Sequence, residues 1–534
     1  MLTGRWNDVN NVPLKKEDIL KPGSLLTLLK ESVEKFANKP AIKIGDYKMT
    51  YKELGYVTSK IAGNLRLYGL EKQQKVLILL PNTPQTVIAI WSVVTSGCTC
   101  VMTNPLYSDT ELLHQIKDSE STMVITCDLL LSKVKAVLDQ TSITDVFVVK
   151  LSEEEQKYDD PRLHTWDELL KENRGYACKT IDPQNDLAFL QYTGGTTGIS
   201  KGCMITHANA LSNCQQVRSM FTKYLLDGQE AFICVLPYFH SYGLMVSIMF
   251  PTMIGASQTP LPRFSPKSFL ATIQKERITA MPSAPSIFNA CITQKDIDSY
   301  DLSSLKVLIS GSAPLSLASM QAFEKKTGAI ISEGYGLSEA SPVTHFSNMD
   351  LPKKEGSIGM PLPFTEAKIV DVEYGIKELG PGEQGELCIR GPQVMLGYYK
   401  HKVETDLVIR DGWLYTGDIA RYDDDGYFYI TDRKKDLIIC GGYNVYPREV
   451  EEVLYKYPKV REAAVIGSKS ETRGEIVKAF VVLKEGETAD AKEIIAYCRQ
   501  NLANYKVPRE VVFKDNLPKS AVGKILRRQL QDEK

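Results

Sequence analysis

The run "KVLILLP" (75–81) is short, apolar on both faces and stopped by proline. The segment behind it, "QTVIAIWSVVTSG", has the length and spacing of a helix and closes on glycine. A strand with two apolar faces needs cover on both, and a following helix of ten to fifteen residues supplies it. The same rhythm returns in "STMVITC", "AFICVLP", "SFLATIQKERI", "SLKVLISG" and "SMQAFEKKTG", and "LLTLLKESVEKFA" carries helical spacing before it starts. This predicts layers of parallel α/β structure. Past about residue 360 the texture changes. "GEQGELCIRG" and "GWLYTGDIARYDDDGYFYITDR" place glycine and aspartate turns every few residues, which predicts antiparallel, barrel-like strands. "KKDLIICGGYNVYPREVEEVLYKYP" then reads as a strand, a glycine turn and a helix opened by Pro447.

With 534 residues the chain is too long for one ordinary core, so several domains are expected. A net charge of −1 gives no ground for a nucleic-acid partner. No apolar run is long enough to span a bilayer, and "MLTGRWNDVNN" lacks the pattern of a secretory signal. The eleven cysteines are scattered, which fits neither a disulfide framework nor a zinc site and points to a cytoplasmic enzyme. From Arg433 to Lys534 there are 21 Lys and Arg against 15 Asp and Glu, a local excess of +6. That asymmetry reads either as a solvated surface or as a small domain that closes over a polyanion.

"QYTGGTTGISKG" (191–202) concentrates glycine, threonine and one lysine behind an apolar strand. Glycines let backbone N–H groups approach phosphate oxygens, hydroxyls add donors and lysine adds a point charge. The stretch misses the nucleotide-hydrolase pattern because Ser200 stands where glycine must precede Lys201. It also lacks the dinucleotide pattern G-x-G-x-x-G. Alone it suits a flexible hairpin as well as a phosphate loop.

Its companions decide. "YTGGTTGISKG" resembles the phosphate loop of the adenylate-forming superfamily, which holds acyl-CoA synthetases, 4-coumarate–CoA ligases, luciferase and peptide-synthetase adenylation domains. In the family's order follow "LPYFHSYGL", "ISGSAPL", "EGYGLSEASPV", "GWLYTGDIA", "TDRKKDLIICGGYNVYPREVE" and "PKSAVGKILRR". The resemblance runs over nearly the whole chain. It implies a large domain over 1–432, made of layered α/β subdomains and a barrel-like one, and a small mobile α+β domain over 433–534. It also implies a reaction: ATP converts a carboxylate to an acyl-adenylate, pyrophosphate leaves, and CoA takes the acyl group.

The resemblance assigns Thr193, Gly194, Gly195, Thr196, Thr197 and Lys201 to the β- and γ-phosphates. Gly311, Ser312 and Ala313 shape the adenine pocket with Glu333, Gly334 and Gly336, and Tyr335 stacks on the base. Ser338 keeps a hydroxyl where many relatives have threonine. Glu339 and Thr196 serve a magnesium ion, and Asp418 and Arg433 hold the ribose. Lys524 is the adenylation lysine, bridging substrate carboxylate and α-phosphate. The hinge falls at Lys435. Rotation there brings Gly441, Gly442 and Tyr443 to the site as CoA contacts, with Arg263 as a further one. 4-Coumarate–CoA ligases carry lysines near that loop where this chain has Ile439 and Gly441. His240 gates or positions the acyl group, and Tyr242, Gly311, Gly336, Pro342 and Val343 line its pocket.

"MTNPLYSDTELLHQIKDSESTMVIT" (102–126) resembles bacterial long-chain fatty-acid–CoA ligases and 4-coumarate–CoA ligases. No aspartate lies in "YFHSYG" to hold a substrate amino group. A medium- or long-chain fatty acid is therefore expected, with an aryl or hydroxycinnamic acid second. A carrier-protein phosphopantetheine is the rival acceptor to CoA. Peripheral membrane contact, monomer and homodimer stay open.

Overall fold

The computed structural model describes residues 16–154, 158–173, 175–193, 200–440, 443–470, 474–520 and 523–531. The predicted strand-and-helix rhythm resolves into two large sheets. One has seven strands, ordered Leu163–Thr165, Asp145–Val149, Ser121–Cys127, Lys75–Leu79, Thr99–Met102, Leu187–Thr193 and Lys201–Thr206. Its first six strands are parallel, and the last folds back antiparallel on its neighbour. "KVLILLP" is central here, as a strand apolar on both faces must be. The helix behind it, Pro84–Ser96, starts from Thr83, whose side chain accepts from Thr86 N, and stops at left-handed Gly97 (φ 76°). From Thr86 to Ser96 every residue of that helix is buried, because it lies between layers rather than at the surface.

The second sheet has nine strands. Its centre is parallel and orders Ile330–Gly336, Val307–Ser310, Ala280–Ser283, Ala231–Cys234, Ser257–Pro260 and Pro40–Ile44. Pro40–Ile44 reaches this place from more than two hundred residues away, and its Ile42 stands beside Gln258. Val343–Phe346 and Met360–Pro361 extend one edge antiparallel. One continuous apolar core joins residues of both sheets, including Trp91, Phe147, Phe189, Phe232 and Phe250.

Past residue 360 the predicted antiparallel texture becomes a five-stranded sheet in which Trp413–Tyr422 pairs with Gly385–Arg390, Ile409–Arg410 and Phe428–Arg433, and Glu366–Val370 pairs with Gly385–Arg390. The C-terminal part has its own sheet, built around the long hairpin Val460–Ser470 and Gly474–Leu483, and its own core. Helix Pro447–Lys456 opens on its proline as expected. All eleven cysteines are free and buried. Among the described residues no helix is long and apolar enough to cross a membrane.

Gly359 is where the second sheet meets the antiparallel one. It exchanges a bridge with Phe428, whose N–H donates to its carbonyl at 2.9 Å. Its φ is +82°, and an added Cβ would lie 2.2 Å from the Phe346 backbone carbon and oxygen. Gly359→Ala combines left-handed strain with a backbone clash and should lower the free energy of unfolding in urea by about 3 kcal/mol. Gly356→Ala, with a φ of +72° but nothing within 4 Å, should lose about 1 kcal/mol.

Candidate active site

The candidate residues gather where the two large sheets, the antiparallel sheet and the C-terminal domain meet. Thr193 and Lys201 are register partners at the turn end of the hairpin, because strand Leu187–Thr193 runs out of the core and Lys201–Thr206 returns to it. Gly194, Gly195, Thr196 and Thr197 lie outside the described residues. Lys201 is largely buried. Its ammonium is 3.4 Å from Glu404 Oε1 and 5.8 Å from the centre of the Tyr398 ring. The Tyr398 hydroxyl donates to Glu339 Oε1 at 2.8 Å. So the phosphate-loop lysine and the expected magnesium ligand share one tyrosine. Neither Tyr398 nor Glu404 is marked by local pattern; only their place beside the hairpin singles them out.

Strand Ile330–Gly336 carries Glu333, Gly334, Tyr335 and Gly336 to the end of the second sheet, and the short helical turn Ser338–Ala340 follows. Glu333 accepts from Leu315 N at 3.0 Å, and burial pushes its carboxyl up to about 7. The loop Gly311, Ser312, Ala313 lies between Val307–Ser310 and helix Leu317–Thr327, with Ser312 left-handed at φ 73°. Tyr335 donates its hydroxyl to Asp418 Oδ2 at 2.5 Å. Asp418 Oδ1 is 3.0 Å from Arg433 Nε, and Asp418 and Arg433 are register partners in adjacent strands. Antiparallel pairing thus fixes the two expected ribose residues side by side, and the tyrosine locks one carboxylate oxygen.

Ser338 Oγ and Ser241 Oγ are 3.0 Å apart. Behind them lies a narrow cavity whose floor is Phe189, Ile205, Leu244, Met245 and Met249. Gln191 and Ser341 line it as well, and Gln191 Oε1 and Ser341 Oγ are buried without a hydrogen-bond partner. The helix along the cavity loosens into a π-turn at Met245–Met249, a feature frequent at functional sites. The acyl residues expected from sequence sit beside this space rather than around it. The Tyr242 ring fills the room next to Gly311, where an added Cβ would be 3.0 Å away, and its hydroxyl donates to Ile309 O at 3.2 Å. At Gly336 an added Cβ would strike the Pro342 carbonyl oxygen at 2.1 Å. The backbone of Val343 is held by the Asn213 amide at 2.8 and 3.0 Å. These small residues permit close packing.

Partly buried His240 caps helix Ser241–Leu244, and its Nδ1 accepts from Tyr242 N at 3.2 Å. Burial and the nearby Lys524 charge lower its titration to about 4, so the ring is neutral at pH 7. Lys524 belongs to the C-terminal domain, yet it faces the large one. An added Cβ at its neighbour Gly523 would be 2.9 Å from Ser286 Oγ. Burial drives the Lys524 ammonium down to about 7; Arg433 and Lys435 push the same way, while Asp418 and Asp436 oppose. Burial likewise lowers Lys435, in the turn Lys434–Asp436. Arg263 is exposed on the loop between strand Ser257–Pro260 and helix Pro266–Glu276, Gly441 and Gly442 lie outside the described residues, and Tyr443 begins strand Tyr443–Val445.

Among the described residues no three His, Cys, Asp or Glu side chains cluster to hold a metal. The donor set fits a magnesium ion held by one carboxylate, Glu339, together with substrate phosphates. The whole arrangement can hold a polyphosphate against Lys201, a vicinal diol against Asp418, and a reacting carboxylate near Lys524.

Comparisons with known proteins agree with this geometry. Residues 29–399 match the family described as AMP-binding enzyme, and residues 449–524 match the AMP-binding enzyme C-terminal domain. A long-chain-fatty-acid–CoA ligase of Bacillus subtilis is 42% identical over 530 residues, covering 96% of this chain and 94% of the relative. Its counterpart in Escherichia coli O157:H7 is 37% identical over 534 residues, with the same coverage. Among solved structures, ATP-bound MatB from Rhodopseudomonas palustris superposes with a TM-score of 0.85 at 29% identity, over 95% of this chain and 98% of that one. The anthranilate CoA ligase AuaEII in complex with anthranoyl-AMP also reaches 0.85, at 26% identity, over 97% and 98%.

A lysine titrating near 7 rather than the ordinary value of about 10.4 is directly measurable. In protein with isotopically dimethylated lysines, the Lys524 resonance, assigned by its loss in Lys524→Met, should titrate with a midpoint near pH 7. Asp418 raises that midpoint, so Asp418→Asn should move it lower still.

Proposed function

The chain belongs to the AMP-binding enzyme family, and we propose that it is an AMP-forming acid–CoA ligase whose substrate is a medium- or long-chain fatty acid. The observation that carries this reading is Lys524, brought from the C-terminal domain to within electrostatic reach of His240, Asp418 and Arg433.

A carboxylate is a poor electrophile, and activation proceeds in two steps. In the first, a carboxylate oxygen attacks the α-phosphorus of ATP. The new O–P bond forms as the bond to the β-phosphate bridge breaks, and pyrophosphate leaves with the electron pair. Negative charge shifts toward the leaving group, so fixed positive groups lower the barrier more than they tighten binding. Lys524 supplies one such charge between carboxylate and α-phosphate. Its depressed titration means that the ammonium is fully formed only below pH 7, until the phosphates' negative charge raises it. Lys201 and the hairpin N–H groups receive the pyrophosphate end. Magnesium, held by Glu339 and the phosphates, would spread charge off the leaving group. Neutral His240, whose Nδ1 already accepts from Tyr242 N, carries its proton on Nε2 and can donate a hydrogen bond at the acyl end but adds no second positive charge. Asp418 and Arg433 hold the ribose, which keeps the α-phosphorus in line.

In the second step the CoA thiol attacks the acyl carbon. The C–S bond forms, the C–O bond to phosphate breaks, the thiol proton leaves to solvent, and AMP departs. The adenylate is already activated, so no strong general base is required. In the family this chain belongs to, the thiol reaches the adenylate where the adenylation lysine stands in the first step. We therefore place a hinge at Lys435 between a large domain over 1–432 and a lid over 433–534. Gly441, Gly442 and Tyr443 are the segment that rotation delivers.

The acyl chain is assigned to the narrow cavity beyond the Ser241–Ser338 pair. Its lining is mostly apolar and includes the Ser241–Ser338 pair, and two flexible methionines let it widen to fit a chain. The names of the Bacillus and Escherichia relatives support a long-chain acid. The substrates are thus the free acid, ATP and CoA, used in the cytoplasm by a monomer or homodimer with at most peripheral membrane contact. A carrier protein remains the rival acceptor.

Three measurements test this. Across a panel of fatty and aromatic acids, pyrophosphate exchange and thioester formation should be greatest with fatty acids and CoA. Lys524→Ala should cut exchange by at least about a hundredfold and spare thioester formation from supplied acyl-adenylate; equal losses would remove Lys524 from the first step. Met249→Trp should shift the preferred acid to shorter chains, with kcat/KM for the longest acid falling about tenfold or more. An unchanged chain-length profile would place the acyl chain elsewhere.

A further inference from the structure

Lys524 rides on a tight hairpin. Ser520 N–H donates to Lys524 O at 2.7 Å, Lys524 N–H donates to Ser520 Oγ at 3.1 Å, and Lys519 bridges Ile525. These contacts shape the hairpin but do not aim it. Three residues on, at the first position of the short helix Arg527–Gln531, Arg527 is sunk in a pocket of carboxylates. Its Nη1 is 3.0 Å from Asp436 Oδ2, its Nη2 is 2.9 and 2.8 Å from the two Glu451 oxygens, and its Nε is 3.2 Å from Glu451 Oε1. The three side chains are only 19%, 17% and 10% exposed.

Each carboxylate is anchored in turn. Glu451, on helix Pro447–Lys456, also accepts from Val465 N at 2.7 Å, which ties it to the domain's long hairpin. Asp436 directly follows the proposed hinge residue. On the far side of the hinge, fully buried Asp432 accepts from Arg433 N at 2.7 Å and Arg448 N at 2.9 Å, within reach of the Arg527 and Glu451 charges. One planar guanidinium therefore joins the hinge segment, a helix, a sheet and the stem of the Lys524 hairpin. A buried pair of this kind adds geometric specificity more than stability, and a rigid fork aims better than a flexible amine.

We propose that Arg527 is a positioning residue that makes the hinge turn and the Lys524 hairpin one rigid arm, so that the orientation taken at Lys435 fixes where the Lys524 ammonium stands. This rests on the role given to Lys524 above. Arg527 itself touches no reacting atom. Its loss should impair the first half-reaction and leave the second, in which Lys524 is withdrawn, nearly intact.

The test measures acid-dependent ATP–pyrophosphate exchange and thioester formation from supplied acyl-adenylate on the full chain. Arg527→Met should lower kcat for exchange about a hundredfold, the cost of misplacing a reacting group by about an ångström, with KM for ATP changed less than about threefold. Thioester formation should fall less than about threefold. Arg527→Lys should recover part of the loss, and in a Lys524→Ala background Arg527→Met should cost nothing more. Asp436→Asn, which keeps the shape and removes one charge, gives the same split at about tenfold and stands in if Arg527→Met does not fold. Equal losses in both half-reactions, or a further loss in the Lys524→Ala background, would overturn the arm. Wild-type protein that shows no exchange with any acid would instead overturn the ligase reading, and the arm with it.

Discussion

The contacts around Asp418 are the constraint on which the site depends. One carboxylate accepts from Tyr335, pairs with Arg433 across a strand register, and opposes the positive field on Lys524. These groups come from three different parts of the fold: the second sheet, the antiparallel sheet and the C-terminal domain. A buried carboxylate must be satisfied on both oxygens, and here the partners that satisfy it are the groups the chemistry uses. The bridge at Gly359 and the neighbouring hydrogen bonds of Ser357 and Ile358 to Phe428 tie the antiparallel sheet that carries Asp418 to the second sheet that carries Tyr335. Packing far from the reacting atoms thus sets their distance.

Much of the fold was legible in the sequence because it is written in local rules. Strands apolar on both faces, helices closed by Gly97 and Gly328, and Pro447 opening its helix all follow from periodicity and backbone freedom. What was not legible is long-range pairing. Nothing near "PAIKI" says that Ile42 will stand beside Gln258, since alternation fixes a face and not a neighbour. The run around Met245 is apolar but for Ser247, so no amphipathic pattern could announce that it would loosen into a π-turn over a cavity.

The site divides the same way. Residues inside ordered motifs, such as Lys524, Asp418 and Glu339, were named from sequence through the resemblance. Tyr398, Glu404 and Arg527 were not, though each touches or aims one of the named groups. A tyrosine or an arginine on a helix or loop is ordinary until another element, a hundred residues away or more in sequence for some, supplies its partner. Tyr242 and Gly311, both assigned to the acyl pocket through the resemblance, pack against each other, the ring filling the room that a side chain at position 311 would need.

The cysteines carry a practical consequence. All eleven are buried, and thiols react as exposed thiolates. The surface therefore offers no competing sulfhydryl where CoA is to be consumed. One cysteine introduced on the lid and one on the large domain would be the sole reactive handles, so a pair of fluorophores attached there would report the angle between the two bodies through each turnover without first stripping the chain of its native thiols.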